Sequence, residues 1–213
     1  KPLLIIGSIQ ILNLQKKKLK YKIRIKEIKN NFSIKDLSRN ELPVYNVEYN
    51  QKKPFQKISN KSNKYILKCF NVAINLAKGK KILGFVNCPI VKETLFKNKH
   101  QGITEFLAKK SRSKNKEVML IYNKELAVSP LTTHIPLSQV SKKISTSKII
   151  KKVKIINSFY NKVFKKKPKI AILGLNPHNF SSLKKSEEKE IIKKAIKNLL
   201  KLKMKVYGPV ATD

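Results

Sequence analysis

A chain of 213 residues that is 41% hydrophobic can bury one large core or two small ones, which excludes disorder as the default state. Its formal net charge of +37 raises the question of nucleic acid, because lysines placed on phosphates release counterions and bind without sequence preference. Of the 49 basic residues only Arg24, Arg39 and Arg112 are arginine, and lysine shares A/T-rich codons with the abundant asparagine and isoleucine, so the charge reads as compositional background and no specific nucleic-acid partner is expected.

Apolar strands alternate with lysine-rich helical stretches along the chain, the pattern of an α/β fold. Lys1-Pro2 leads into a short strand over Leu3–Gly7 with no secretory pattern, followed by a short helix over Ile9–Leu14. Tyr21–Ile28 alternates apolar and charged residues, as a half-exposed strand does. Residues 29–58 are polar and interrupted by Pro43 and Pro54, and they read as loops with short strands. Apolar side chains at helical spacing from Ile66 to Ala77 predict a helix over 62–78, with Gly79 at its C-terminal cap. A buried strand over Ile82–Val86 then runs into Asn87-Cys88-Pro89-Ile90, followed by a short helix over 91–96 and another over 104–110. Val118–Tyr122 and Leu126–Val128 read as an antiparallel pair. A long helix over 146–165, a buried strand over Lys169–Leu175 and a last helix over 186–202 follow. Glu187 and Glu188 near the start of that last helix complement its dipole. A final strand, Lys205–Tyr207, ends in Gly208-Pro209. The expected organisation is part of a first α/β domain over 1–95 and a central α/β domain over 96–213. Cys69 and Cys88, outside any CxxC spacing, read as two buried free thiols in a reducing cytoplasm. No stretch approaches the roughly 20 apolar residues of a membrane span.

In open α/β sheets, ligands bind beyond the carboxyl ends of the strands. Several predicted strands empty there into polar turns: 87–92, 131–137, 174–178 and 208–213. The chain has only three histidines, and two of them, His134 and His178, occupy such turns. Imidazole is a common ligand of divalent metals, so the two side chains can converge on one ion. They are far apart in sequence, and a histidine at a turn is more often a hydrogen-bonded structural residue. Spacing alone leaves both readings open.

The run Thr132-Thr133-His134-Ile135-Pro136-Leu137, then Gly174-Leu175-Asn176-Pro177-His178, then Gly208-Pro209 with Asp213, resembles the 4-hydroxythreonine-4-phosphate dehydrogenase family in the same order. Pro89-Ile90-x-Lys92 and Gly102-x-Thr104-Glu105-Phe106-Leu107-Ala108 resemble further signatures of that family. The resemblance implies an incomplete two-domain α/β fold like that of the isocitrate and isopropylmalate dehydrogenases, with the active site at a homodimer interface. It implies NAD- or NADP-linked oxidation of a phosphorylated hydroxy-amino acid, followed by decarboxylation, in pyridoxal phosphate synthesis, with a divalent metal (zinc, magnesium or cobalt) at the substrate oxygen. It assigns His134 and His178 as metal ligands, Thr104 as a substrate contact and Asp213 as a residue near the metal. Lys92 matches a family lysine, and His100 reads as a surface residue.

Two positions depart from the pattern. Ile103 stands where the family has histidine, and Asn179-Phe180-Ser181 replaces the usual Ala-Gly-Glu. The family's glycine-rich N-terminal segment and its C-terminal third, with a third metal histidine and most of the nicotinamide site, have no counterpart in the sequence. The chain is therefore expected to be a fragment without dehydrogenase activity by itself. A dehydrogenase of a four-carbon sugar-acid phosphate is the alternative that Ile103 leaves open, and a basic nucleic-acid-binding protein is a distant one.

Overall fold

Ile5–Gly7 (β1), Arg24–Glu27 (β2) and Glu41–Asn46 (β3) form a parallel sheet in the order β1-β3-β2. The computed structural model describes residues 2–37, 40–96, 102–113, 116–179 and 186–212. Its chain divides into two compact units, Lys1–Asn115 and Lys116–Asp213.

The central strand of the first unit, β3, comes from the stretch expected to be largely loop, and it contains Pro43. Proline lacks the N–H that a ladder uses, so its place in a central strand needs a reason. The Val44 carbonyl accepts from Ile28 on the β2 side, so the edge of its neighbour Pro43 faces β1. The β1 pairing begins only at Ile5↔Val44, and Pro43 comes before the ladder that would need its donor.

Ser8 caps the helix Ile9–Leu19 (α1), accepting the Ile11 N–H at 3.3 Å, and its own hydroxyl donates to the Tyr49 carbonyl at 3.0 Å. The helix continues to Leu19, beyond the expected Leu14, and stops at Lys20 in the left-handed region (φ 57°). Asn63–Lys78 (α2) buries Phe70, Ala73 and Ile74, as its periodicity predicts. Its Tyr65 stacks on Tyr49 with centroids 4.8 Å apart and accepts the Ser8 N–H at 2.9 Å; burial pushes the phenol up to about 12. Gly79 ends the helix at an ordinary φ of −74°, and the left-handed position falls to Lys80 (φ 56°).

The expected buried strand over Ile82–Val86 is not formed. These residues are irregular, and Leu83 and Val86 are 91% and 97% exposed. A short apolar run carries no information about which strand would pair with it. Cys88, in the same irregular stretch, is exposed, and only Cys69 of the two free thiols is partly buried. Lys92–Phe96 (α3) and Ile103–Lys110 (α4) close an aromatic cluster in which Phe70, Leu95, Phe96 and Phe106 are buried, with the Phe106 ring 5.6 Å from Phe70 and 5.1 Å from Phe96. Phe106 therefore belongs with the first unit, and the division falls after Asn115 and not at the expected 95/96.

In the second unit, Ile121–Tyr122 (β4) and Ala127–Val128 (β5) form the predicted antiparallel pair, shortened to two residues each. Val140–Lys143 (α5) is one turn of helix. Ser145 caps Thr146–Phe159 (α6) through the Lys148 N–H at 3.3 Å; the helix then widens into a π turn over Tyr160–Phe164 and ends at Lys165 (φ 55°). Ile170–Leu173 (β6) and Val206–Val210 (β7) pair in parallel, and Lys193–Lys201 (α7) lies between them in sequence, preceded by a π turn over Glu188–Ile192. The β6 strand is not fully buried as expected. Ile170 and Ile172 pack against the core, while Leu173 is 49% exposed, because this two-stranded sheet has one covered face. Ile149, Val153, Ile192, Ala195, Ile196, Leu199 and Val206 form that core.

Leu199 is fully buried in it. Leu199→Ala is expected to cost about 3 kcal/mol, as the lost transfer energy and the cavity add. Urea unfolding followed by circular dichroism reads this as a lower midpoint, and a loss under about 1 kcal/mol would mean that the core collapses around the gap. Among the described residues, no helix is long and apolar enough to cross a membrane.

Candidate functional site

The carboxyl end of β6 runs into Gly174-Leu175-Asn176-Pro177-His178, and a lattice of hydrogen bonds holds this turn. The Gly174 N–H donates to the Val210 carbonyl at 2.9 Å, continuing the β6–β7 ladder. The Leu175 and Asn176 N–H groups both donate to Oε1 of Glu188, each at 3.0 Å. Glu188 is only 6% exposed. Backbone hydrogen bonds, that of the Asn176 N–H foremost, hold its carboxyl below the usual glutamate range against the opposing effect of burial. The Asn176 side chain then accepts the His178 N–H at 3.1 Å, and its carbonyl accepts the Asn179 N–H at 2.9 Å. The His178 side chain stands exposed beyond these bonds.

The end of the chain returns to the same turn. The Thr212 N–H donates to the Pro177 carbonyl at 2.7 Å, and the Asn179 amide donates to the Pro209 carbonyl at 2.7 Å. The residue before Asp213 is thus bonded to the residue before His178. Asp213 itself lies outside the described residues, as do His100, Phe180 and Ser181. Asn179, where the family pattern has alanine, ties the histidine turn to the end of β7, a bond an alanine side chain cannot make.

His134 lies in the turn over 131–137 and is also exposed. Lys152 fixes the start of this turn, donating to the Pro130 carbonyl at 2.7 Å. Burial lowers the ammonium of Lys152, and the nearby Glu117 charge opposes that effect. His134 adopts the left-handed region (φ 56°), which non-glycine residues rarely occupy. Among the described residues, Lys20, Lys80, Arg112, Lys165 and Lys203 share this conformation, but each follows the end of a helix, where it is usual. The remaining two, His134 and Asn179, lie in the two histidine turns. Backbone outliers of this kind concentrate at ligand sites.

The second unit thus presents two exposed imidazoles on turns held by partly or fully buried charged side chains. Imidazole donors fit a borderline ion such as zinc or cobalt better than magnesium, which prefers oxygen. Among the described residues, no group of three or more histidine, cysteine, aspartate or glutamate side chains converges, so further donors are needed to complete a coordination sphere. Two cavities of the chain are lined by Asn13, Lys16, Lys17, Lys20 and Tyr21, and by Val118, Leu120, Ile155, Ile156 and Phe159. Neither includes a histidine, so donor chemistry and not concavity marks this site.

In the first unit, Thr104 is exposed in the opening turn of α4, where helical N–H groups have no partner within the helix. Its neighbour Ile103, in place of the family histidine, packs against the aromatic cluster. Lys92 is exposed at the start of α3.

Sequence reading gave Glu188 only a helix-dipole role and Asn179 only a departure from the family pattern, and it passed over Lys152. A signal for Glu188 was present: it falls on the helical stripe of Ile192, Ala195, Ile196 and Leu199, an apolar row in which a carboxylate has no place unless it is bonded.

The whole chain, residues 1–213, matches the family model described as pyridoxal phosphate biosynthetic protein PdxA. It is 34% identical over 213 residues to a 4-hydroxythreonine-4-phosphate dehydrogenase of Sulfurihydrogenibium sp., a match covering 98% of this chain and 65% of that relative. A D-threonate 4-phosphate dehydrogenase of Salmonella typhimurium is 32% identical over 149 residues, covering 68% of this chain and 45% of the relative. The crystal structure of a 4-hydroxythreonine-4-phosphate dehydrogenase from Burkholderia phymatum has a TM-score of 0.83 at 24% identity, covering 97% of this chain and 64% of that one, and shows a shared α/β fold. The chain spans less than two thirds of the length of these relatives.

Proposed function

Since this chain belongs to the family of the pyridoxal phosphate biosynthetic protein PdxA, we propose that it forms part of a dehydrogenase that oxidises and decarboxylates 4-phosphohydroxy-L-threonine. The observation that carries the metal part of this reading is the pair of histidine turns, each with a left-handed residue and a buried or half-buried charged anchor. His134 and His178 are its metal ligands, and the bond from Thr212 to Pro177 supports the next residue, Asp213, as an acidic neighbour of the metal. When bound, a divalent metal supplies Lewis-acid polarisation of the substrate oxygen and NAD or NADP accepts the hydride. The chain's own part is to orient: the turns fix the backbone that carries both imidazoles before any ligand arrives, so less ordering remains to be done on binding. Thr104, with a hydroxyl in the opening turn of α4, contacts the substrate phosphate.

The two compact units accord with an incomplete fold of the isocitrate and isopropylmalate dehydrogenase kind, working as a cytoplasmic homodimer. Ile103 leaves a second reading open. Its side chain is spent on the aromatic cluster and offers no hydrogen bond to an amino acid, so a four-carbon sugar-acid phosphate is the competing substrate. The test is NADH or NADPH formation by the gene product that contains residues 1–213, supplied with Zn2+ or Co2+. Reduction with 4-phosphohydroxy-L-threonine and not with D-threonate 4-phosphate is the expected result. The reverse preference would move the assignment to the sugar-acid enzyme, and reduction with neither would refute both.

A further inference from the structure

We propose that Glu188 is a positioning residue for the metal site, acting through the backbone of the Leu175–Asn176 turn on the His178 imidazole. The inference rests on the reading of His178 as a ligand and adds a residue to which the motifs give no role. A carboxylate on the apolar stripe of the last helix is costly to bury unless several donors meet it. Here one oxygen collects two successive N–H groups, at 3.0 Å each, from the last residues before the histidine turn. Those two N–H groups lie beyond the Gly174–Val210 bond that ends the β6 ladder, so the sheet itself offers them no acceptor. Without Glu188 the turn would keep its bonds from His178 to Asn176, from Thr212 to Pro177 and from Asn179 to Pro209, but lose its attachment to the last helix. Charge-assisted bonds to backbone N–H groups are about twice as strong as neutral ones, which makes this a strong link between the last helix and the turn that carries the imidazole.

The arrangement does for a metal-binding turn what a partner carboxylate does for a ligand's ring nitrogen, one covalent step further back. Removing such supports typically weakens metal affinity roughly 10–100-fold. E188A is therefore expected to lower Co2+ affinity by that factor in the full chain, read from the visible absorption of the bound ion. E188Q keeps an acceptor oxygen in the same place and should hold affinity within about threefold of the unsubstituted protein, losing only the charge assistance. Amide exchange gives an independent readout: Leu175 and Asn176 should exchange at least about tenfold faster in E188A, while the Leu199 amide in the core stays protected. E188D, whose carboxylate is one methylene too short, carries the same expectations if E188A fails to fold. The inference is overturned if E188A, or E188D in its place, is folded and leaves the exchange of Leu175 and Asn176 unchanged. It is equally overturned if Co2+ affinity falls as far in E188Q as in E188A, since a structural role alone has no reason to respect the acceptor. H178A separates this from the ligand reading: full Co2+ binding by H178A refutes that reading, and faster exchange in E188A still establishes the anchored turn.

Discussion

His178→Ala is expected to weaken Zn2+ or Co2+ binding by roughly 100-fold or more, with the fold intact. Structural zinc sites gain about 10–16 kcal/mol from some four ligands, so one imidazole carries about 3 kcal/mol. The side chain is exposed, and the bond from the His178 N–H to Asn176 is a backbone one that alanine keeps. Stability should move by no more than about 0.5 kcal/mol. For the other proposed ligand the better substitution is His134→Asn, because asparagine tolerates the left-handed backbone found there (φ 56°) and alanine does so poorly. The two single variants and the double variant should bind metal about equally badly, since half a site holds an ion little better than none. Competition with a chromophoric chelator measures all three. Undiminished binding in either single variant would remove that histidine from the site.

Gly208→Ala should have the largest effect on stability of any glycine substitution in the second unit. Its φ of 127° is open to glycine alone, and an added Cβ would lie 2.3 Å from the Ile172 carbonyl oxygen, a backbone atom within the neighbouring strand. Neither conformation nor space can give without parting β6 from β7. A loss of about 3 kcal/mol or more is expected, together with loosening of the Asn179–Pro209 and Thr212–Pro177 bonds that lie just beyond. Urea unfolding gives the magnitude, and amide exchange at Gly174 gives the location. Gly84→Ala is the control: no atom lies within 4 Å of its Cβ position, and its effect should be close to zero. Equal effects at the two sites would show that the β6–β7 contact is not tight.

Periodicity and punctuation made much of this molecule legible in its sequence. The helices at 63–78 and 146–159 declare themselves through apolar faces, and the helix at 103–110 through a short one. Failures came where a residue's meaning depends on a neighbour far away in the chain. Pro43 argues against a central strand until its silent edge is seen to face the side where β1 has not begun. Ile82–Val86 looks like a buried strand because hydrophobicity is local and pairing is not. The two histidine turns were visible as motifs, but what holds them was not. Glu188 read as a helix-dipole charge, and only the fold reveals that it faces inward, toward two N–H groups earlier in the chain. Asn179 was visible only as a departure from a pattern, and its bond to Pro209 required knowing where β7 ends.

Helix stops in this protein are written in lysine. With six glycines in 213 residues, the left-handed positions after helices fall to Lys20, Lys80, Arg112, Lys165 and Lys203, all solvent-exposed. Each sits in a conformation about 1 kcal/mol dearer for a side-chain-bearing residue than for glycine. The lysine-rich composition is thus accommodated at the punctuation of the fold, where water surrounds the side chain. Gly208 stands at a position where no L-residue fits without parting two strands. Gly208 marks a place where the architecture has no tolerance left, while Gly84, with open space around its Cβ position, marks none.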